Sequence, residues 1–440
     1  MKRRPIVLSA GLFFLLMNAS AQEKTISLND AINLGLQNSK QLKISQAKIE
    51  EANAQLKQAE DKRLPDANVL GAYSRLLTGN FDIKTKSNNG GTGQAPPKVH
   101  DAVYGILNAS LPVYAGGRIN YGIESSKYLE QAARLDAETN KDEVIQNTIE
   151  AFANLFKAGS AVRLVKENLA QSQERTREFS NLEKNGLLPR NDLLKAELQT
   201  SNVELNLVDA ENNLQLANIN MDLMLGLPTT TTLLLDTSGI EKKDDKRTLE
   251  EFFQLAMNSR KDIAALDLRK KSAETGVKAV KGEKLPGISI TGGYLAADVP
   301  KFISITNVVN LGVGVSYNIG SLWKNKAKEK EAQAKVSELT ATQALVNDQV
   351  QMQVSKSYLS LLSQRKKIEV YAKAVEQANE NYRIVKNKFD NSLATTSDLL
   401  DADVAKLQAN LSYTLARADA FVAYNRLLQT AGLLASEIKK

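Results

Sequence analysis

Slid along itself by 221 positions, the sequence lays Leu28 on Leu249, Leu34 on Leu255, Leu64-Pro65 on Leu285-Pro286, Gly71 on Gly292 and Tyr73 on Tyr294. A shift of 206 then lays Phe152 on Tyr358, Arg177 on Arg383, Asn185 on Asn391, Leu187 on Leu393 and Gly226-Leu227 on Gly432-Leu433. Self-similarity at such a distance means one unit built twice, so whatever the first half folds into, the second half repeats. The copies divide as 22–240 and 241–440. The difference between the shifts, 15, assigns the surplus of the first copy to the stretch between Tyr73 and about Leu111, with all other length shared. Residues 78–101 suit it: Asn88-Asn89-Gly90-Gly91 and Pro96-Pro97 read as an exposed loop.

Each copy opens with a helix. Leu28, Ala31, Ile32, Gly35 and Leu36 recur at helical spacing, as do Leu249, Phe252, Phe253 and Ala256, and Leu64-Pro65 and Leu285-Pro286 end the two helices. Two strands follow, over about 66–77 and 102–114 in the first copy and about 287–297 and 304–319 in the second. The clearest pattern is Leu311, Val313, Val315, Tyr317 and Ile319 alternating with Gly312, Gly314, Ser316 and Asn318. One face is apolar and the other small and polar, which is the alternation of a transmembrane β-barrel strand.

Beyond the strands, the second copy has no proline and only two glycines, Gly320 and Gly432, from Ile319 to its end. The steps Tyr371, Val375, Ala378, Tyr382, Val385 and Phe389 alternate between four and three, the seam of a coiled coil. The seam breaks at about 391–396 and resumes at Leu400, Val404 and Leu407, so the helix reverses and returns; the first copy reverses at about 185–190. An unbroken helix from Arg118 to Lys184 would extend for about 100 Å. Asn191 and Ser397 are expected to cap the returning helices, with Asp192 and Asp398 complementing their dipoles.

Four strands cannot close a barrel, and unpaired backbone groups cannot face lipid. Copies must therefore supply the missing neighbours, and three chains of four strands give a twelve-stranded cylinder wide enough to be hollow. The N-terminus agrees with export: Lys2, Arg3 and Arg4, an apolar run from Ile6 to Met17 and Ala19-Ser20-Ala21 read as a signal peptide over 1–21. With no cysteine, the chain can have neither disulfides nor an acylated N-terminal cysteine. Three of the 57 basic residues sit in the leader, so the remainder nearly balances the 50 acids, and the charges interleave along helices. Nucleic acid is not an expected partner.

Two local motifs mark the reversals: Asn185-Gly186-Leu187 before Asp192-Leu193-Leu194-Lys195-Ala196, and Asn391-Ser392-Leu393 before Asp398-Leu399-Leu400-Asp401-Ala402. With the order of parts, they resemble the TolC family of outer-membrane efflux proteins over essentially the whole mature sequence. The resemblance implies a mainly α fold with a small β part. Two tandem repeats of helix, strand, strand, long helix and helix would form a homotrimer whose β-barrel in outer-membrane lipid continues into a periplasmic α-helical barrel.

It further implies a passive exit duct of a tripartite efflux or type I secretion system, working with a periplasmic adaptor (membrane fusion) protein and an inner-membrane pump or secretion ATPase. Gly186, Leu187, Leu188, Asn391, Ser392 and Leu393 would meet the adaptor, Ser392 standing where the family usually has glycine. Asp192, Phe389, Asp398 and Asp401 would line the periplasmic constriction, where threefold symmetry makes acidic rings that attract cations. Phe389 equally completes the coiled-coil seam. Ala394 stands where some relatives carry an arginine that locks the closed end.

No nucleophile–base set, phosphate loop or metal-spaced cluster is present, so no enzyme activity, metal or cofactor is expected. His100 reads as a solvated loop residue; Tyr317 and Trp323 read as either an interfacial belt or local packing. The rival function is a soluble periplasmic coiled-coil scaffold or adaptor.

Overall fold

The computed structural model describes residues 23–75, 77, 100–237, 245–300 and 303–438; the leader and nearly all of the 78–101 loop fall outside them. In chain order the elements are β1 (Glu23–Ile26), α1 (Leu28–Asn38), α2 (Lys40–Asp61), β2 (Asp66–Arg75), β3 (Asp101–Ala115), α3 (Arg118–Lys184), α4 (Arg190–Leu225), β4 (Thr232–Leu235), α5 (Leu249–Ser259), α6 (Lys261–Gly282), β5 (Gly287–Val299), β6 (Ile303–Ser316), α7 (Ser321–Asp390), α8 (Thr396–Thr430) and α9 (Leu434–Ile438). Helix, strand, strand, long helix and returning helix occur twice, in the order the internal repeat predicts.

The repeat extends to atomic detail. Ser27 caps α1 through a box with Asp30, its Oγ accepting from the Asp30 N–H at 3.2 Å. Thr248, 221 residues on, does the same for Glu251, whose carboxylate accepts from the Thr248 N–H at 2.6 Å and is held below its usual range by that bond. Both boxes satisfy donors that a helix start would otherwise leave open.

The opening helix of each copy differs from expectation, being two helices and not one. Ser39 turns extended (φ −58°, ψ 119°) and its Oγ accepts from the Leu42 N–H at 3.2 Å, which starts α2 afresh. Arg260, at the equivalent position, is also extended (φ −68°, ψ 127°) and pairs with Asp262 at 2.6 Å. α3 and α7 end at equivalent positions, Lys184 and Asp390, and α7 starts three residues earlier, with 70 residues against 67.

The chain divides into two compact units. One takes 1–42, 141–259 and 351–440; the other takes 43–140 and 260–350. In the first, β1 and β4 pair in parallel, a two-stranded sheet that sequence patterning does not reveal. Ile26, Ala31, Phe152, Leu155, Met221, Leu225 and Leu233 pack there as one core, joining the pair to α1, α3 and α4. Gly226 takes the left-handed conformation (φ 70°) after α4, and the Asn38 amide donates to the Leu225 carbonyl beside it at 2.7 Å.

The second unit holds a four-stranded antiparallel sheet in the order β2-β3-β5-β6. Its register aligns apolar residues in rows: Val69, Leu107, Tyr294 and Val309 cross all four strands, while Leu111, Ile290 and Val313, and Tyr114, Ile288 and Val315, cross β3, β5 and β6. On the other face lie Ser110, Ser289, Thr291, Asn310, Gly312 and Gly314, and with them a further apolar row of Leu70, Ile106, Leu295 and Val308. β6 ends at Ser316, so Tyr317 and Ile319 continue the alternation without being strand. Among the described residues, the outer edges of β2 and β6 have no partner strand.

Candidate functional site

The two reversing turns are built alike. After α3, the Leu187 N–H donates to the Leu182 carbonyl at 2.8 Å and the Gly186 N–H to that of Glu183 at 2.9 Å; after α7, Leu393 donates to Lys388 at 2.7 Å and Ser392 to Phe389 at 2.9 Å. This nested pair of bonds needs a left-handed residue between them. Gly186 supplies it with φ 71°, and Ser392 takes φ 59° despite its side chain. Asn185 and Asn391 each donate their amide to the carbonyl four residues back, at 2.7 Å in both turns.

Satisfying the helix ends this way aims the following leucine outward. Leu187 is 73% and Leu393 is 76% exposed, whereas Leu188 tucks into the cluster below. That cluster comprises Phe179, Leu193, Ala196 and Leu399, with Tyr382, Val385 and Phe389 against it. Phe389 stacks on Phe179 at 5.3 Å between centroids, so in the protomer it packs a helix seam.

The expected caps are corrected. α4 starts at Arg190 behind Pro189, whose fixed φ prepares a helix start, and α8 starts behind Thr395. Asn191 and Ser397 lie one residue inside the helices. Asp398 is the box partner of Thr395, accepting from its N–H at 2.9 Å and its hydroxyl at 2.7 Å, and those bonds keep the carboxyl below its usual range. Asp192 accepts from Lys195 at 3.1 Å, and the same ammonium reaches Ser397 at 3.3 Å, joining one reversal to the other. Asp401 is exposed one turn along α8, and Ala394 is half-buried. The structure thus brings the expected residues of both turns to one end of the four-helix packing.

Sequence reasoning passed over the polar group just behind them. Val165, Asn168, Ser172, Arg175 and Phe179 are all buried, a seam stepping by three and four along α3. Arg175 meets Asp403 of α8 at 2.9 Å, and Asn168 donates to the same carboxylate oxygen at 3.2 Å. The heptad spacing was the available signal, since it places Arg175 in the seam and not on the solvated face.

Among the described residues no group of His, Asp and Glu is placed to hold a metal ion, and no helix is long and apolar enough to cross a membrane. His100 is exposed.

Comparison with known proteins agrees with this geometry. Outer membrane efflux protein BepC of Brucella suis is 21% identical over 381 residues, covering 85% of this chain and 81% of that protein. The crystal structure of the outer membrane protein VceC from Vibrio cholerae superposes with a TM-score of 0.76 at 18% identity, over 92% of this chain and 96% of the other. The CmeC outer membrane channel of Campylobacter jejuni gives 0.75 at 18% identity, over 94% and 88%. The outer membrane efflux protein family matches residues 31–227 and 252–433, both repeats in turn. This chain therefore belongs to the outer membrane efflux protein family, a family of outer-membrane channels and not of enzymes.

Proposed function

We propose that three copies of this chain close a twelve-stranded barrel in the outer membrane and form the passive exit duct of a tripartite efflux or type I secretion system. The observation that carries this is the four-stranded sheet. It has one face of apolar rows, an opposite face that carries Ser110, Ser289, Thr291, Gly312 and Gly314 toward the helices and one apolar row, Leu70, Ile106, Leu295 and Val308, farther along, and two edges unpaired among the described residues. In lipid those edges must be paired, and copies of the same chain can pair them all only by forming a ring. A soluble scaffold would leave the apolar rows in water with nothing to cover them.

Exposed heptad stripes support the same assembly. Leu198, Leu205, Val208, Leu216 and Leu223 run along α4, and Leu345, Met352 and Leu359 run along α7, all exposed in the protomer. Each stripe is a seam awaiting a helix. In this reading the reversing turns, with Leu187, Leu188 and Leu393 beside Gly186, Asn391 and Ser392, receive a periplasmic adaptor. Asp192, Asp398 and Asp401 repeat as rings around the constriction beside Phe389. An inner-membrane pump or secretion ATPase supplies the energy.

Disulfide trapping tests the ring directly, since the chain has no cysteine of its own. One cysteine scanned along β2 and one along β6 should yield covalent dimers and trimers in isolated outer membranes under oxidation. Monomer alone across the whole scan would overturn the proposal.

A further inference from the structure

The first turns of α7 carry charges that the helix itself disfavours. Four lysines, Lys324, Lys326, Lys328 and Lys330, stand within the ten residues from Ser321, and the first turn has no acidic residue. A helix N-terminus is the positive end of the peptide dipole, so cations there are unfavourable. Lys324 with Lys328 and Lys326 with Lys330 are also like-charge neighbours four apart. The acid between them, Glu329, is already engaged by Lys281 of α6 at 3.6 Å and by Lys284 of the turn after it at 2.8 Å, and Lys328 is paired with Glu283. Lys324, Lys326 and Lys330 are exposed and have no acidic partner among the described residues.

The fold does not demand this arrangement. The equivalent residues of the first repeat, 115–124, carry only Arg118 and Glu124, which cancel. What distinguishes α7 is its approach. The apolar row Val309, Leu311, Val313 and Val315 continues through exposed Tyr317 and Ile319 to Leu322 and Trp323, which is 63% exposed, and the lysines follow at once. Apolar strand, then aromatic residues, then unpaired cations is the order met on leaving a hydrocarbon layer through its carbonyl region into its phosphates.

We infer that Trp323, Lys324, Lys326 and Lys330 form a collar that gathers anionic phospholipid headgroups from the leaflet on the helical side of the barrel. The phosphodiester supplies the counter-charge that the helix start lacks, and the indole fixes the depth of the chain in the membrane. The inference rests on the strands facing lipid, as proposed above.

Trp323 is the sole tryptophan, so its fluorescence reports this one location. Full-length protein is reconstituted in vesicles of phosphatidylethanolamine and phosphatidylcholine containing, at equal mole fraction, either phosphatidylglycerol or phosphatidylcholine with brominated acyl chains. Bound anionic lipid should make brominated phosphatidylglycerol the stronger quencher, reflecting a local enrichment of about fivefold or more. Replacing the three lysines (K324Q, K326Q and K330Q together) should equalise the two quenchers while both still quench. Equal quenching in the unaltered protein overturns the inference, as does a preference that survives the triple change. If the preference is absent and the triple variant instead loses its β2–β6 cross-links, the lysines pair with a neighbouring copy and the collar is refuted. If neither lipid quenches Trp323 at all, the sheet does not face lipid, and the failure lies with the proposed barrel.

Discussion

The guanidinium of Arg175 and the carboxylate of Asp403, 228 residues apart in sequence, meet at 2.9 Å with their side chains only 7% and 2% exposed. The pair joins α3 of the first repeat to α8 of the second, directly behind the Phe179–Phe389 stack. It is also incompletely satisfied: Arg175 Nη1 and Asp403 Oδ1 have no hydrogen-bond partner. A buried ion pair in that condition contributes little net stability, because desolvation consumes most of the Coulombic gain, but it is costly to break on one side.

Removing Asp403 alone (D403A) should therefore destabilise the helical unit by about 3–5 kcal/mol, the cost of an uncompensated buried cation. The double variant R175M with D403L should recover most of that loss or exceed the starting stability. Thermal unfolding of the purified protein, followed by helical circular dichroism, measures both. A double variant no better than the single one would show that the pair is favourable in its own right.

The second reversal holds strain that the first avoids. Ser392 occupies the left-handed region at φ 59°, where Gly186 sits freely at 71°. A Cβ built on Gly186 would meet nothing within 4 Å, so any cost there is conformational. S392G should stabilise the α7–α8 turn by about 1 kcal/mol, and G186S should weaken the other turn by a similar amount. Opposite shifts in melting temperature are expected, and shifts of the same sign would refute the backbone explanation.

Asp222 offers a test in pH. It is fully buried in α4, one oxygen accepts from Asn218 at 2.9 Å, and the other has no partner. Burial raises its pKa. A carboxyl whose folded pKa lies above its unfolded value of about 3.9 makes the folded state less stable when ionised, so the cost is full above the folded pKa and vanishes below the unfolded one. D222N keeps the acceptor toward Asn218 and removes the charge. It should raise the melting temperature at pH 7, with the gain shrinking as pH falls toward 4. A gain independent of pH would mean that ionisation of Asp222 is not the cause.

These sites show where the sequence is readable and where it is not. The strand alternation of Val309 to Val315 and the heptad steps from Tyr371 to Phe389 are local patterns with a fixed physical period, and they led to the repeated order of elements. The interruptions at Ser39 and Arg260 carry no proline or glycine; Ser39 caps the new helix through the Leu42 N–H and Arg260 pairs with Asp262, local bonds that periodicity does not register. The β1–β4 pair joins residues more than two hundred positions apart in two four-residue strands, too short for alternation to show. At the turns, Gly186 and the Asp398 motif stood out, but the true caps, Pro189 and Thr395, lay just before the residues that caught attention. Arg175 lies on a heptad step of α3, but its partner Asp403 is 228 residues away, a pairing that periodicity does not supply.

The two faces of β6 supply the sharpest test of what surrounds the sheet. Leu311 is 84% exposed and lies in the apolar row between Val309 and Val313, on the face expected to meet hydrocarbon. Gly312, its neighbour, points to the opposite face, where a Cβ would find only the Thr291 hydroxyl, at 3.8 Å. In water, replacing either exposed residue by a polar one would be nearly neutral. In a membrane the two differ: a lysine on the lipid side near the midplane costs about 2–4 kcal/mol, while a polar group on the lumen side is already solvated. L311K should therefore sharply reduce the amount of protein recovered in the outer membrane, and G312S should leave it near the unaltered level. If both were incorporated equally well, the row from Val309 to Val315 would not face lipid, and the argument that the unpaired edges require a ring of copies would lose its premise.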